Sequence, residues 1–168
     1  MTKQVVTTYY EEDHDRLDEL FKSFRQEKRQ NYPKAKEYFK QFRAGLQRHI
    51  VWEEEILFPL FEEKTGLIGA GPTQVMRMEH RLIGKYLEAI HDKVRVQDPE
   101  SDEEEALLLN TLQFHNHKEE HILYPAIDNA LSDAERASVF STMEEMPEVV
   151  SSCCSTHDHA GHSSPGTR

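Results

Sequence analysis

Six residues that can bind metal fall into two sets related by a shift of 66 positions. His14 falls on His80, His49 on His115 and Glu53 on Glu119, with Pro59 on Pro125. Imidazole and carboxylate are ligands of first-row transition metals, and six of them kept at one offset point to a metal site built from a duplicated unit. His49 and Glu53 are four apart, as are His115 and Glu119, so each pair lies about 40° apart on one helix face and one turn along it. One carboxylate from each copy, meeting near a pseudo-two-fold axis, is placed to bridge two ions. Two bridging carboxylates and four imidazoles supply eight bonds where two octahedral ions take twelve. A bridging oxide or hydroxide adds two, which leaves one open position on each ion. Nitrogen and oxygen donors without thiolate suit Fe, Mn, Co, Ni or Zn.

The duplication extends beyond these anchors. Glu53 to Pro59 (EEEILFP) overlays Glu119 to Pro125 (EEHILYP), and Leu46-Gln47 overlays Leu112-Gln113. Four long segments carry apolar residues at helical spacing and are separated by breakers. The first is predicted from about Thr2 to Gln30, with Tyr10, Leu17, Leu20, Phe21 and Phe24 inward, and Asn31-Tyr32-Pro33 turns the chain. The second carries Phe39, Phe42, Leu46, Ile56 and Leu60 to a stop near Thr65-Gly66. Gly69-Ala70-Gly71-Pro72 joins the copies. The third runs from Pro72 to before Asp98-Pro99 with Met76, Ile83, Leu87 and Ile90 inward, and the fourth carries apolar Leu108, Leu112, Ile122 and Leu123, with Leu108, Leu112, Ile122 and Ala126 continuing the His115–Glu119 face. Ser101 with Glu104, and Ser132 with Glu135, both fit the capping-box pattern, the latter opening a short fifth helix from about Asp133 to Glu145. Pro59 and Pro125 free the carbonyls of Glu55 and His121 and bend their helices.

The expected fold is all-α: an up-down-up-down four-helix bundle over residues 1–150, made from a duplicated helical hairpin, with a disordered tail over residues 151–168. The ligands lie within stripes that face its core. An unpaired buried polar group costs roughly 2–7 kcal/mol, so four imidazoles and two carboxylates inside a bundle need a partner, and metal supplies one.

Other polar residues have blander readings. His117 to His121 (HKEEH) fits a zinc-peptidase pattern with Glu120 as base, but has no counterpart in the first copy, where Val51 and Glu55 stand. These two histidines are read as solvated, with His121 a candidate support for a ligand. His91 lies three turns beyond His80, too far to share its metal. Tyr10 and Asp18 flank His14 by one turn each, and serve as core or supporting residues or as an additional ligand. Cys153, Cys154, His157, His159 and His162 make a donor-rich tail, read as solvated.

The 168 residues suffice for one well-buried core, and a net charge of −11 repels phosphate backbones and anionic lipid, which argues against nucleic acid and membrane partners. With no apolar run near the roughly 20 residues of a membrane span and adjacent cysteines that cannot staple the domain, a cytoplasmic protein is expected.

The chain resembles the hemerythrin-like (HHE cation-binding) proteins, with DHDRLDELF and EHRLIGKYL opening the halves and HIVWEEEILFP and HNHKEEHILYP closing them, over about residues 8–130. The resemblance implies a non-haem di-iron centre in a four-helix bundle, two Fe ions with an oxo or hydroxo bridge, held by His14, His49, Glu53, His80, His115 and Glu119. It implies binding or reduction of dioxygen, peroxide or nitric oxide at open iron positions, with an unidentified redox partner, or alternatively a non-enzymatic iron or oxygen sensor or iron-handling role. The fifth histidine of the oxygen-carrying members has no duplicated match here, which argues against reversible oxygen transport.

Overall fold

The computed structural model describes residues 5–147. Helix α1 spans Val6–Glu27, and α2 spans Tyr32–Trp52. The α2 rod continues through a π-helical turn, Glu53–Leu57, into α3, Phe58–Thr65. After a loop come α4, Pro72–Arg95, and α5, Asp102–Lys118, which passes through a second π-helical turn, Glu119–Leu123, into α6, Tyr124–Ala130. Helix α7, Asp133–Glu145, follows, and the described residues contain no strand. Thr2 and the tail over residues 151–168 lie outside the described residues.

The predicted punctuation is largely where the sequence puts it. Asn31 caps α2 by accepting from Lys34 N, with proline in the first turn, and Gly66 ends α3 in the left-handed region at φ 74°. Ser132 and Glu135 form the expected capping box on α7. The Ser101–Glu104 box does not form. Ser101 Oγ instead donates to Glu105 Oε2 at 2.5 Å, and Glu104 is drawn to Lys93 at 2.8 Å.

Four rods therefore run up, down, up and down: α1, then α2 with α3, then α4, then α5 with α6. Rod one packs on rod two and rod three on rod four, while α6 returns to α1 and α3 to α6, closing the bundle. The apolar interior is in two parts. One gathers Tyr10, Leu57, Phe58, Phe61, Met76, Leu123, Tyr124 and Ile127 under Val139, Phe140 and Met143 of α7. The other gathers Leu17, Phe21, Phe24, Phe39, Phe42, Ile83, Leu87, Ile90 and Leu108 toward the opposite end. Between them lies a polar layer, because His14 follows Tyr10 by one turn and precedes Leu17, and His80 sits likewise between Met76 and Ile83.

The two π-helical turns change which residues face inward. Each stands just before its proline, with Phe58 N bonded to Glu53 O and Tyr124 N to Glu119 O, five residues back rather than four. A widened turn relieves the clash between a proline ring and the carbonyl four residues earlier. It also inserts one residue, so the inward stripe slips. Counting at 3.6 residues per turn puts Ile56, Leu60, Ile122 and Ala126 inside. Of these, Ile56, Leu60 and Ala126 are half-buried against the core and Ile122 is 61% exposed, while the expected Leu123 is buried together with Leu57, Phe58, Phe61, Tyr124 and Ile127.

At the end away from α7, Lys28 is buried against Glu105, which also accepts from Arg25 Nε at 3.2 Å, and Lys28 reaches Asp102 at 2.5 Å. These partners satisfy a charge that would otherwise be costly to bury.

Candidate metal centre

All six duplicated residues meet in the polar layer, and each is at most 4% exposed. α1 supplies His14, α2 His49, α4 His80 and α5 His115, while Glu53 and Glu119 are the first residues of the two π-helical turns. The Nε2 atoms of His14 and His49 are 3.2 Å apart. Glu53 reaches both sides, with Oε1 3.4 Å from His49 Nε2 and Oε2 3.1 Å from His80 Nε2. Glu119 touches His115 Nε2. Two donor groups result, Glu53, His80, His115 and Glu119 in one and His14, His49 and Glu119 in the other, each with ligand atoms within 4.8 Å of one another. Glu119 belongs to both groups.

Every one of the four imidazoles is held from behind. His49 Nδ1 bonds Asp13 at 2.9 Å and His115 Nδ1 bonds Glu79 at 2.8 Å. His14 Nδ1 bonds Glu120 at 2.7 Å and His80 Nδ1 bonds Glu54 at 2.8 Å. An Nδ1–H that donates outward to these carboxylates leaves the Nε2 lone pair for the centre, which is the tautomer a metal requires. The four carboxylates obey the same 66-residue shift, Asp13 with Glu79 and Glu54 with Glu120. That signal is present in the sequence, at positions next to the ligands rather than among them.

The remaining atoms decide whether a cation fits. Glu53 Oε2, His80 Nε2 and both carboxylate oxygens of Glu119 are buried without a hydrogen bond. Buried polar atoms are nearly always hydrogen-bonded, and four that are not, drawn from three residues of one donor group and packed against one another, are explained by an ion among them. The donor set of imidazole and carboxylate suits iron. The profile of the Hemerythrin HHE cation binding domain family matches residues 5–127. The chain belongs to that family. An uncharacterised hemerythrin-like protein of Schizosaccharomyces pombe is 29% identical over 150 residues, 88% of this chain and 69% of its own. Iron–sulfur cluster repair proteins of Edwardsiella ictaluri and Haemophilus influenzae are 33% and 32% identical, each over 51% of this chain. The alignments span 42% and 43% of those two proteins. No solved structure matches the chain.

This hemerythrin-family domain concentrates charge where a cation would rest. Burial, then the charge of Glu53, pushes Glu119 up to about 7, whereas Glu53 is held low by His49 in spite of its own burial. His49 rises to about 10 because Glu53 and Asp13 outweigh burial, and His80 rises to about 9 through Glu53 and Glu54. His14 is pushed down to about 3, by burial first and His49 next. Two carboxylates crowded together, and imidazoles competing for them, are the arrangement a metal cation relieves.

The other candidates lie elsewhere. Tyr10 packs its ring 5.0 Å from His49 and donates its hydroxyl to Met143 Sδ at 3.6 Å, away from the donors. Asp18 lines a groove of 620 Å³ between α1 and α5 and belongs to neither donor group. His117 and His121 are exposed with rings 4.3 Å apart, and His121 supports no ligand, the supporting role falling to Glu120. His91 stacks on Phe39 in the opposite half of the bundle. The tail donors lie outside the described residues. Tyr124 is the residue that sequence reasoning missed. It is fully buried, and its hydroxyl donates to Glu53 Oε1 at 2.5 Å. Burial, then Glu119 and Glu53, holds its phenol well above the usual range.

No helix among the described residues is long and apolar enough to cross a membrane.

Proposed function

We propose that this protein holds two Fe ions with a bridging oxide or hydroxide through His14, His49, Glu53, His80, His115 and Glu119, and binds or reduces dioxygen, peroxide or nitric oxide there. The four buried atoms of Glu53, His80 and Glu119 that make no hydrogen bond carry this reading, together with membership of a cation-binding family. Such a centre supplies electrons and exchangeable coordination positions. The chain's own groups do the rest. Glu119 belongs to both donor groups, and Glu53 reaches His49 on one side and His80 on the other; Asp13, Glu54, Glu79 and Glu120 fix the imidazole tautomers; and the two apolar clusters exclude water from above and below.

Anaerobic iron loading should give two irons per chain, and oxygen should then yield an oxidised spectrum that purging does not reverse. One zinc per chain after iron-replete expression would overturn the metal assignment, and recovery of the reduced spectrum without added electrons would make the protein a carrier. A second reading, iron handling or sensing without turnover, is favoured by the names of the repair-protein relatives. Peroxide discriminates between them, since repeated consumption supports chemistry and a single stoichiometric oxidation supports handling.

A further inference from the structure

The 66-residue shift that pairs every donor and every supporting carboxylate breaks among the rings packed against the donors. Tyr124 falls on Phe58. Both are fully buried, and both lay their rings beside a histidine of the first helix of a hairpin, Phe58 6.0 Å from His80 and Tyr124 5.9 Å from His14. Only one of them carries an oxygen. That oxygen lies 3.3 Å from His49 Nε2 and 3.4 Å from His14 Nε2, and those two nitrogens are 3.2 Å apart. The three atoms therefore form a nearly equilateral triangle. Adjacent donors of a six-coordinate ion with bonds of about 2.1 Å are about 3.0 Å apart, so this triangle has the dimensions of one coordination face. Glu53 Oε1 extends the set, 2.5 Å from the phenol and 3.4 Å from His49.

The two donor groups are also unequal without Tyr124. The His80 group includes both glutamates, whereas the His14 group contains Glu119 alone. The phenol stands on the poorer side.

We infer that Tyr124 Oη is a seventh protein donor, serving only the metal between His14 and His49, so that small exogenous ligands are admitted at the metal between His80 and His115. This rests on the iron-pair reading above. On coordination the phenol exchanges its proton for the metal, and the proton leaves with metal uptake. Phe58 leaves the matching position on the other metal without a protein oxygen.

The test is spectroscopic. Oxidised, iron-loaded protein should show a phenolate-to-iron charge-transfer band in the visible, with tyrosine ring modes enhanced on resonance Raman excitation in that band. Tyr124→Phe should abolish both while retaining two irons, and azide titration should rise from one bound per chain to two. Phe58→Tyr should add a second phenolate signal and weaken azide binding at least tenfold. Because the Raman signature is read on the unmodified protein, a variant that fails to fold does not remove the test. Two irons with no phenolate band would overturn the inference and leave the metal assignment standing. A protein that takes up no iron would overturn both.

Discussion

The two hairpins of this bundle agree closely where they hold imidazole and disagree where they fill the space around it. Asp13 and Glu79 support His49 and His115, and Glu120 and Glu54 support His14 and His80, each from an equivalent position. Yet Phe58 stands where the other copy has Tyr124, and Lys28 and Glu105, a buried ion pair, correspond to Val94 and Phe39 in the other copy. Orientation of a metal-facing nitrogen tolerates little change in either half. Packing residues outside the donors need only fill volume and satisfy their polar atoms, so the copies have been free to diverge there.

The most severe way to break the symmetry is to remove a carboxylate that reaches histidines of both hairpins. Glu119→Ala or Glu53→Ala should cost at least one metal per chain, measured by metal analysis of iron-loaded protein. Equal, undiminished iron in both variants would show that the carboxylates are not shared ligands.

At the far end, Lys28→Met leaves Glu105 buried without its main counter-charge, and such a loss costs about 3–5 kcal/mol. Lys28→Met with Glu105→Leu should destabilise less than Lys28→Met alone, because an apolar pair is what the other copy uses there. Urea denaturation of both variants checks this, and a double variant weaker than the single would show that the ion pair itself is favourable.

Next come the supporting carboxylates. Asp13→Asn and Glu79→Gln should each lower metal affinity by about 10–100-fold, by a similar factor in the two halves. A chelator competition that finds only one of them affected would show that the halves are unequal at this level too.

The smallest effect concerns pH. Asp102 is held down at about 2 by Lys28 and then Arg29, against 3.8 for the free side chain. A lowered carboxylate stabilises the fold fully above its unfolded value and loses that contribution as pH falls through its folded value. The stability difference between the wild type and Asp102→Asn should therefore be constant above about pH 5 and shrink between pH 4 and 2. A difference that does not change over that range would mean that Asp102 titrates normally.

Much of this was legible in the chain. The internal shift identified all six central residues, and apolar periodicity with its breakers gave the bundle. Failures begin where regular helical counting fails. The inserted residue in each π-helical turn carries Ile122 out to solvent and brings Tyr124 into the site, and no pattern of apolar residues at 3.6 spacing can register an added residue. Ser101 failed as a cap for a different reason. Its hydroxyl had a stronger acceptor in Glu105, whose burial beside Lys28 depends on contacts 77 residues apart.

The π-helical turns also obey the duplication. Glu53–Leu57 and Glu119–Leu123 stand in register under the same shift that relates the donors. The same local sequence, a glutamate six residues before a proline, therefore produces the same bulge in each copy. Two such hairpins facing each other would make a symmetric site, with one ring beside each first-helix histidine. Deleting the added residue from either half today would swing Leu57, Phe58 and Phe61, or Leu123, Tyr124 and Ile127, out of the interior together. The bulge can be lost only with the packing that grew around it, which explains why both copies still carry it.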